Sequence, residues 1–336
     1  MRSNPVERVP TAVATEPTIE GGGSSLVTVL VALAANALLA VAKSVAAVVT
    51  GSAAMVAEAA HSWSDTGNEV FLLVAERTGS RPRDDAHPRG YGRSTYIWSL
   101  VAAFGLFSAG AVVSIWHGLT DLFGEPGEAS YVTNYVVLGV AFVLEGTSFL
   151  QATSQVRGRA SRFGLHPLRF VARTSDPTLR AVFFEDSAAL LGLLLAGGGI
   201  ALHQLTGRHE FDAAGSIAVG LLLAVVAVFL MRRNMDYLLG EGDSAELRSA
   251  VLTRILEHPD IDRVTYLHLE YVGPQRLFVV AAVDLTGDDP EPDLAVRIRR
   301  VETDIERHEM VEDAVLTLAL PSDPSLDPAD SPLSTP

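Results

Sequence analysis

The sequence predicts an α-helical membrane protein: a six-transmembrane-helix bundle followed by a C-terminal α+β domain in water. Three observations point there. Mean hydropathy is +0.27 although the 336-residue chain has a net charge of −15. That charge is concentrated at one end, since residues 241–336 hold 21 acidic and 8 basic side chains. Before them lie six runs of about 20 mostly apolar residues, the length that crosses a bilayer as a helix.

The runs fall near Leu26 to Val49, Ala53 to Ala75, Tyr96 to Leu119, Tyr131 to Thr153, Leu179 to His203 and Ala213 to Met231. Six spans put both chain ends on one side. Five arginines lie between Arg77 and Arg93, and six between Arg157 and Arg180, whereas "DLFGEPGEAS" (Asp121 to Ser130) and the link between the first two spans have none. Positive loops stay inside, so both termini are expected in the cytoplasm. Residues 1–24 are polar without an apolar stretch and predict a disordered cytoplasmic tail rather than a signal peptide. Residues 25–239 form the six-span membrane domain on this reading.

The soluble part is expected over 240–320. "SAELRSAVLTRILEH" and "DLAVRIRRVETDIERH" carry apolar residues at helical spacing; "DRVTYLHLEYV", "RLFVVAAVDL" and "EDAVLTLAL" have strand patterns. The order α-β-β-α-β predicts a small two-layer, ferredoxin-like domain. "PSDPSLDPADSPLSTP", residues 321–336, is rich in Pro, Ser and Asp and is expected to be disordered.

Composition also excludes. No cysteine is present, so disulfides, thiolate ligands and cysteine nucleophiles are ruled out, and any metal must take His, carboxylate, amide or water ligands. The acidic balance argues against nucleic acid as a partner. Lys43 is the only lysine beside 24 arginines, which hints at a GC-rich bacterial genome and hence a bacterial plasma membrane.

Ionisable groups at bilayer depth cost at least about 2.5 kcal/mol each, so each asks for a reason. In "AEAAHSWSDTGNEV", Glu58, His61, Asp65 and Glu69, with Asn68, fall within about a third of a helix circumference. Glu58, Glu69 and His117 lie near span ends, where an interfacial position is an equal alternative. Lys43 is expected to snorkel from the outer half of its span. His61 and Asp65 lie near mid-span, four residues apart on one face. An imidazole and a carboxylate so placed offer two metal ligands, and a buried His–Asp bond between helices is the structural alternative. Asp186 and Glu185 in "AVFFEDSAALLG" are the natural complement, but adjacent residues diverge by about 100°, so both do not face one ion easily. Glu145, alone in the fourth span, is a ligand, a proton carrier or a partner for Lys43. The small residues of "LLAGGGIAL" allow helices to approach and slide.

As a set, six spans, "HSWSD", the loop "HPRGYGRSTY" (His87 to Tyr96), an acidic site in the fifth span and an α+β C-terminus resemble the cation diffusion facilitator family. "TSDPTLRAVFFEDSAALLG" and "VLEG" resemble its branch containing the animal mitochondrial zinc exporter. The resemblance implies a homodimer that exports zinc or a related divalent ion in exchange for protons, with the ion bound between spans two and five. It maps metal ligands onto His61, Asp65 and Asp186. Four residues before Asp186, where many members carry His or Asp, stands Val182. Glu185, Glu145, Asn68 or water is then left to supply a fourth ligand or to couple protons. An oxygen-rich shell admits manganese, iron or cobalt beside zinc. The metal is cargo; no cofactor is expected. His258, His268 and His308 are scattered, and they are read as surface or packing residues. Two rivals remain: a membrane sensor or scaffold that binds metal without moving it, and an intramembrane metallohydrolase, for which no HExxH, GxSxG or similar motif is present.

Overall fold

The computed structural model describes residues 24–123, 131–162, 164–240 and 244–328. The expectations for residues 1–23 and 329–336 lie outside them. Each expected span lies within a long helix: α1 (Ser24–Thr50), α2 (Ala53–Gly79), α3 (Ser94–Ala102) continued by α4 (Ser108–Leu122), α5 (Tyr131–Arg162), α7 (Pro177–Thr206) and α8 (Glu210–Leu238). A short α6 (Pro167–Arg173) precedes α7. Five of these segments are long and apolar enough to cross a membrane by composition. The exception is α2, 27 residues long but diluted by its polar stripe.

Local chemistry sets the ends. Ser52 accepts from the Met55 amide to cap α2, and Asp212 of α8 accepts from the Ser52 hydroxyl (2.9 Å) and the Ala53 amide (2.8 Å). Asp176 caps α7, with Pro177 opening the helix. Between α3 and α4, residues Ala103–Phe107 form a π-helical turn. The Ser64 hydroxyl of α2 lies 3.0 Å from the Leu106 carbonyl in that turn, so its widened backbone meets the polar helix.

Small residues bring the helices close. A Cβ on Gly199 of α7 would stand 2.7 Å from the Phe211 carbonyl of α8, and one on Gly118 of α4 would stand 2.8 Å from the Ala213 carbonyl. Of the expected glycine run, only Gly199 makes such a contact; Gly197 and Gly198 do not.

After α8 the chain follows the expected order: α9 (Ala245–Leu256), β1 (Ile261–Gly273), β2 (Arg276–Leu285), α10 (Glu291–Glu306) and β3 (Val311–Leu318). The sheet order is β1-β2-β3, with β1 and β2 antiparallel and β2 and β3 parallel. Leu252 and Ile255 of α9 and Val301 of α10 pack on Val264, Leu267, Val279, Val283 and Leu316. The register places Tyr266 and His268 of β1, Val280 of β2 and Val315 of β3 side by side on one face, where Tyr266 and Val315 are exposed.

One expectation is corrected here. Residues 321–328 do not leave the domain as a loose tail: the Leu326 amide donates to the Val264 carbonyl at 2.7 Å, and the Ser249 hydroxyl donates to the Pro328 carbonyl. Leu326 is an apolar anchor that composition alone conceals, and it packs against the domain core.

The acidic domain sits on the arginine-rich end of the bundle. Arg83 pairs with Glu312 at 3.0 Å, Arg89 and Arg93 share Glu270, and Arg169 pairs with Glu246. "HPRGYGRSTY" is part of this joint. A Cβ on Gly92 would lie 2.6 Å from the Val272 carbonyl, and one on Gly273 would lie 2.8 Å from the Gly92 Cα, so backbone rests on backbone. Gly92→Val is therefore expected to push the loop off the β1–β2 hairpin. Overpacking of this kind costs about 1–3 kcal/mol, so tryptic cleavage between Arg81 and Arg93 should accelerate by about tenfold with helical content unchanged. Equal cleavage rates would show that the loop is not held there.

Candidate functional site

The stripe on α2 meets α1, α5 and α7, and its two ends are answered by α1. Near the Ser52 end, Lys43 donates to Glu58 at 3.0 Å, with both side chains fully buried, and lies 3.9 Å from Glu145 of α5. Lys43 therefore does not snorkel: it turns inward to two carboxylates. Glu58 is not interfacial either, and Gly192 of α7 makes room for it, since a Cβ there would stand 2.7 Å from Glu58 Oε1. Toward the other end, the Asn36 amide donates to Glu69.

The centre is different. His61 is fully buried, and neither Nδ1 nor Nε2 has a hydrogen-bond partner among the described residues. Asp65 Oδ1 is likewise buried and unpartnered. The two side chains approach to 3.6 Å, Nε2 to Oδ2, which is contact but not a hydrogen bond. Orphaned polar atoms at bilayer depth are costly, and their gathering on one helix turn marks a place where a polar or charged ligand relieves the cost.

From α7, Glu185 and not Asp186 reaches toward α2. Glu185 is buried and accepts from the Asn68 amide at 2.7 Å on each oxygen. Asp186 turns toward α5, where the Ser148 hydroxyl donates to it at 2.8 Å. The 100° step between neighbours separates them as the helix geometry requires. Val182 carries no ligand atom. Among the described residues, no three His, Asp or Glu side chains converge tightly enough to share one ion. His61, Asp65 and Asp186 are thus on facing helices but not assembled. Asp65 stays within electrostatic range of Glu145, Glu185 and Asp186. Lys43 acts on the same cluster, and carboxylates so near each other repel unless some take up protons or a further cation joins them.

Sequence reasoning missed the links made by Asn36 and Ser148. Both are ordinary polar residues of apolar helices, and neither belongs to a periodic motif. At the basic end it also missed Arg180, fully buried, which donates to the Thr174 carbonyl and to Asn234 of α8 and lies against Tyr237. His258 and His308 accept from the Asp260 and Met310 amides in turns, consistent with a packing role.

Residues 29–239, which hold this bundle, are matched by one family model, described as the cation efflux transmembrane domain. The chain belongs to the cation efflux family, the cation diffusion facilitators. Similar to this chain is a mitochondrial proton-coupled zinc antiporter of Xenopus laevis, 34% identical over 77% of this chain and 46% of its own length. Metal tolerance protein C4 of Arabidopsis thaliana is 32% identical over 71% of this chain and 52% of its own. Cation efflux system protein CzcD of Alcaligenes is 23% identical over 82% of this chain and 81% of its own. This chain therefore lies near the mitochondrial zinc antiporter branch of the family, and it spans about half the length of the relatives in that branch. It is an integral membrane protein.

Proposed function

We propose that this chain exports a divalent metal ion, zinc first, by proton-coupled antiport, and that it is a transporter rather than an enzyme. The observation that carries the reading is the unpaired centre of α2, where His61 and Asp65 hold buried nitrogen and oxygen atoms without partners. His61, Asp65 and Asp186 act as ligands on this reading. Drawing Asp186 off Ser148 assembles the shell around the ion, with Glu185, Glu145 or Asn68 as the fourth ligand or the proton carrier. Two nitrogen-poor, oxygen-rich helices leave manganese, iron and cobalt as competing cargoes. Imidazole and carboxylate ligands must be deprotonated to bind metal, so binding releases protons and acid returns them. The names of the antiporter relatives support the same cycle.

The arginine-rich end, which carries the acidic domain, faces the cytoplasm on this reading, in agreement with the positive-inside rule. The membrane is a bacterial plasma membrane. The protein acts as a homodimer, joined through the sheet face where Tyr266 and Val315 are exposed within one chain beside half-buried Val280.

Reconstituted vesicles test this. Zinc uptake is expected to rise when the trans side is acidic, and metal affinity is expected to fall as pH drops, because protons compete with the metal for imidazole and carboxylate ligands. Calorimetry in buffers of different ionisation enthalpy counts the protons released. A count near zero rules out antiport, binding without flux identifies a sensor or scaffold, and turnover of a cleavable substrate identifies a hydrolase.

A further inference from the structure

Where the α2–α3 loop meets the β1–β2 hairpin there is a cavity of about 220 Å³ that the transport reading does not use. It lies just beyond Gly79, the last residue of α2, and just before Ser94, the first of α3, at the level where two spans leave the membrane. Arg81, Arg83, Arg89 and Arg276 line it, with Glu312 the only lining carboxylate, and the Gly90–Gly92 backbone forms one wall.

The charges around it do not balance. Glu312 serves two guanidiniums, Arg83 at 3.0 Å and Arg276 at 2.5 Å. Glu270, just outside the lining, serves two more, Arg89 and Arg93. Asp313 stands farther off, 3.8 Å from Arg83. Asp84 is held by the Tyr91 hydroxyl at 2.7 Å and by the His87 amide. Those hydrogen bonds, the Tyr91 one first, keep its carboxyl below the usual range, so it is an anion already committed to its own loop. Arg81 pairs with no carboxylate among the described residues; its guanidinium lies over the Tyr91 ring, 5.9 Å from the centroid. Five guanidiniums thus stand beside four carboxylates, of which Glu312 and Glu270 are each shared by two, Asp313 is the more distant partner of Arg83 and Asp84 is committed to its own loop. Each guanidinium has five donors in a planar fork, more than a shared carboxylate can occupy.

We infer that this cavity binds a phosphate-bearing anion, which completes the hydrogen bonds of Arg81, Arg83, Arg89 and Arg276 and ties the α2–α3 loop to the soluble domain. Guanidinium forks match phosphate oxygens in pairs, and headgroup phosphates lie at the depth where these helices end. A phospholipid headgroup and free phosphate present the same chemistry.

Full-length, delipidated protein in neutral micelles, titrated with inorganic phosphate against sodium chloride of equal ionic strength, separates binding from screening. Phosphate at roughly fifty times its dissociation constant is expected to raise the melting temperature by about 5 °C. The second arm compares vesicles of phosphatidylcholine alone with vesicles that also contain phosphatidylglycerol, read by trypsin access to the Arg81–Arg93 loop. Arg81→Gln, an exposed change that breaks no ion pair, should weaken the response by roughly tenfold, and Arg81→Lys by less, because it keeps the charge and loses the fork. A response to phosphate alone assigns a soluble anion, and a response to phosphatidylglycerol alone assigns a headgroup. No response in either arm, or responses that Arg81→Gln leaves unchanged, overturns the site. None of these readouts depends on which ion is transported.

Discussion

Asp65→Asn is expected to abolish metal flux while leaving expression, helical content and thermal stability near those of the parent. The change is isosteric and removes only charge. Asp65 Oδ1 has no hydrogen-bond partner, and Oδ2 lies beyond hydrogen-bond distance from His61, so no packing and no intramolecular bond is lost. A metal ligand is lost. Outer-shell partners alone are worth about 10–100-fold in metal affinity, and a charged ligand of the first coordination sphere is worth more, so flux should fall by at least about 100-fold. Initial rates of zinc uptake into vesicles with an acidic interior measure this directly. Wild-type rates for Asp65→Asn would place the ion elsewhere, and a matching loss of stability would make Asp65 a structural residue.

Lys43→Met should produce the opposite pattern, a large loss of stability. Lys43 and Glu58 are both fully buried, and the ammonium also faces Glu145. Removing the cation leaves Glu58 without a counter-charge, and breaking a buried pair from one side costs about 3–5 kcal/mol. Replacing both, as Lys43→Met with Glu58→Gln, removes the isolated charge and should recover most of that loss. Thermal unfolding of the four proteins in micelles gives the coupling energy. Additive effects of the two single changes would show that the pair does not form.

The rods and their order were legible because they follow from local pattern. Apolar runs of bilayer length became helices, and alternating segments became strands, since each rule depends only on neighbours within a turn or two. The polar stripe on α2 was legible for the same reason: Glu58, His61, Asp65 and Glu69 share a face by the helical repeat alone. The end of the soluble domain was not. Leu326 sits among prolines and aspartates that mask its contact with the strand bearing Val264.

Residue types, spacing and charge by themselves determined that this is a membrane bundle with an acidic domain, and that α2 bears a stripe of ionisable groups on one face. Which groups answer one another was decided only in three dimensions. Lys43 meets Glu58 across 15 residues, Asp186 meets Ser148 across 38, and Asn68 meets Glu185 across 117. Each pairing depends on how one helix is rotated about its axis against the next. That rotation is set by close contacts such as Gly199 on α8 and Gly192 on Glu58, not by any repeat within a helix. A turn of 100° exchanges Glu185 for Asp186 at the face of α2, so the tertiary packing decides which carboxylate meets Asn68 of α2 and which turns to Ser148 of α5.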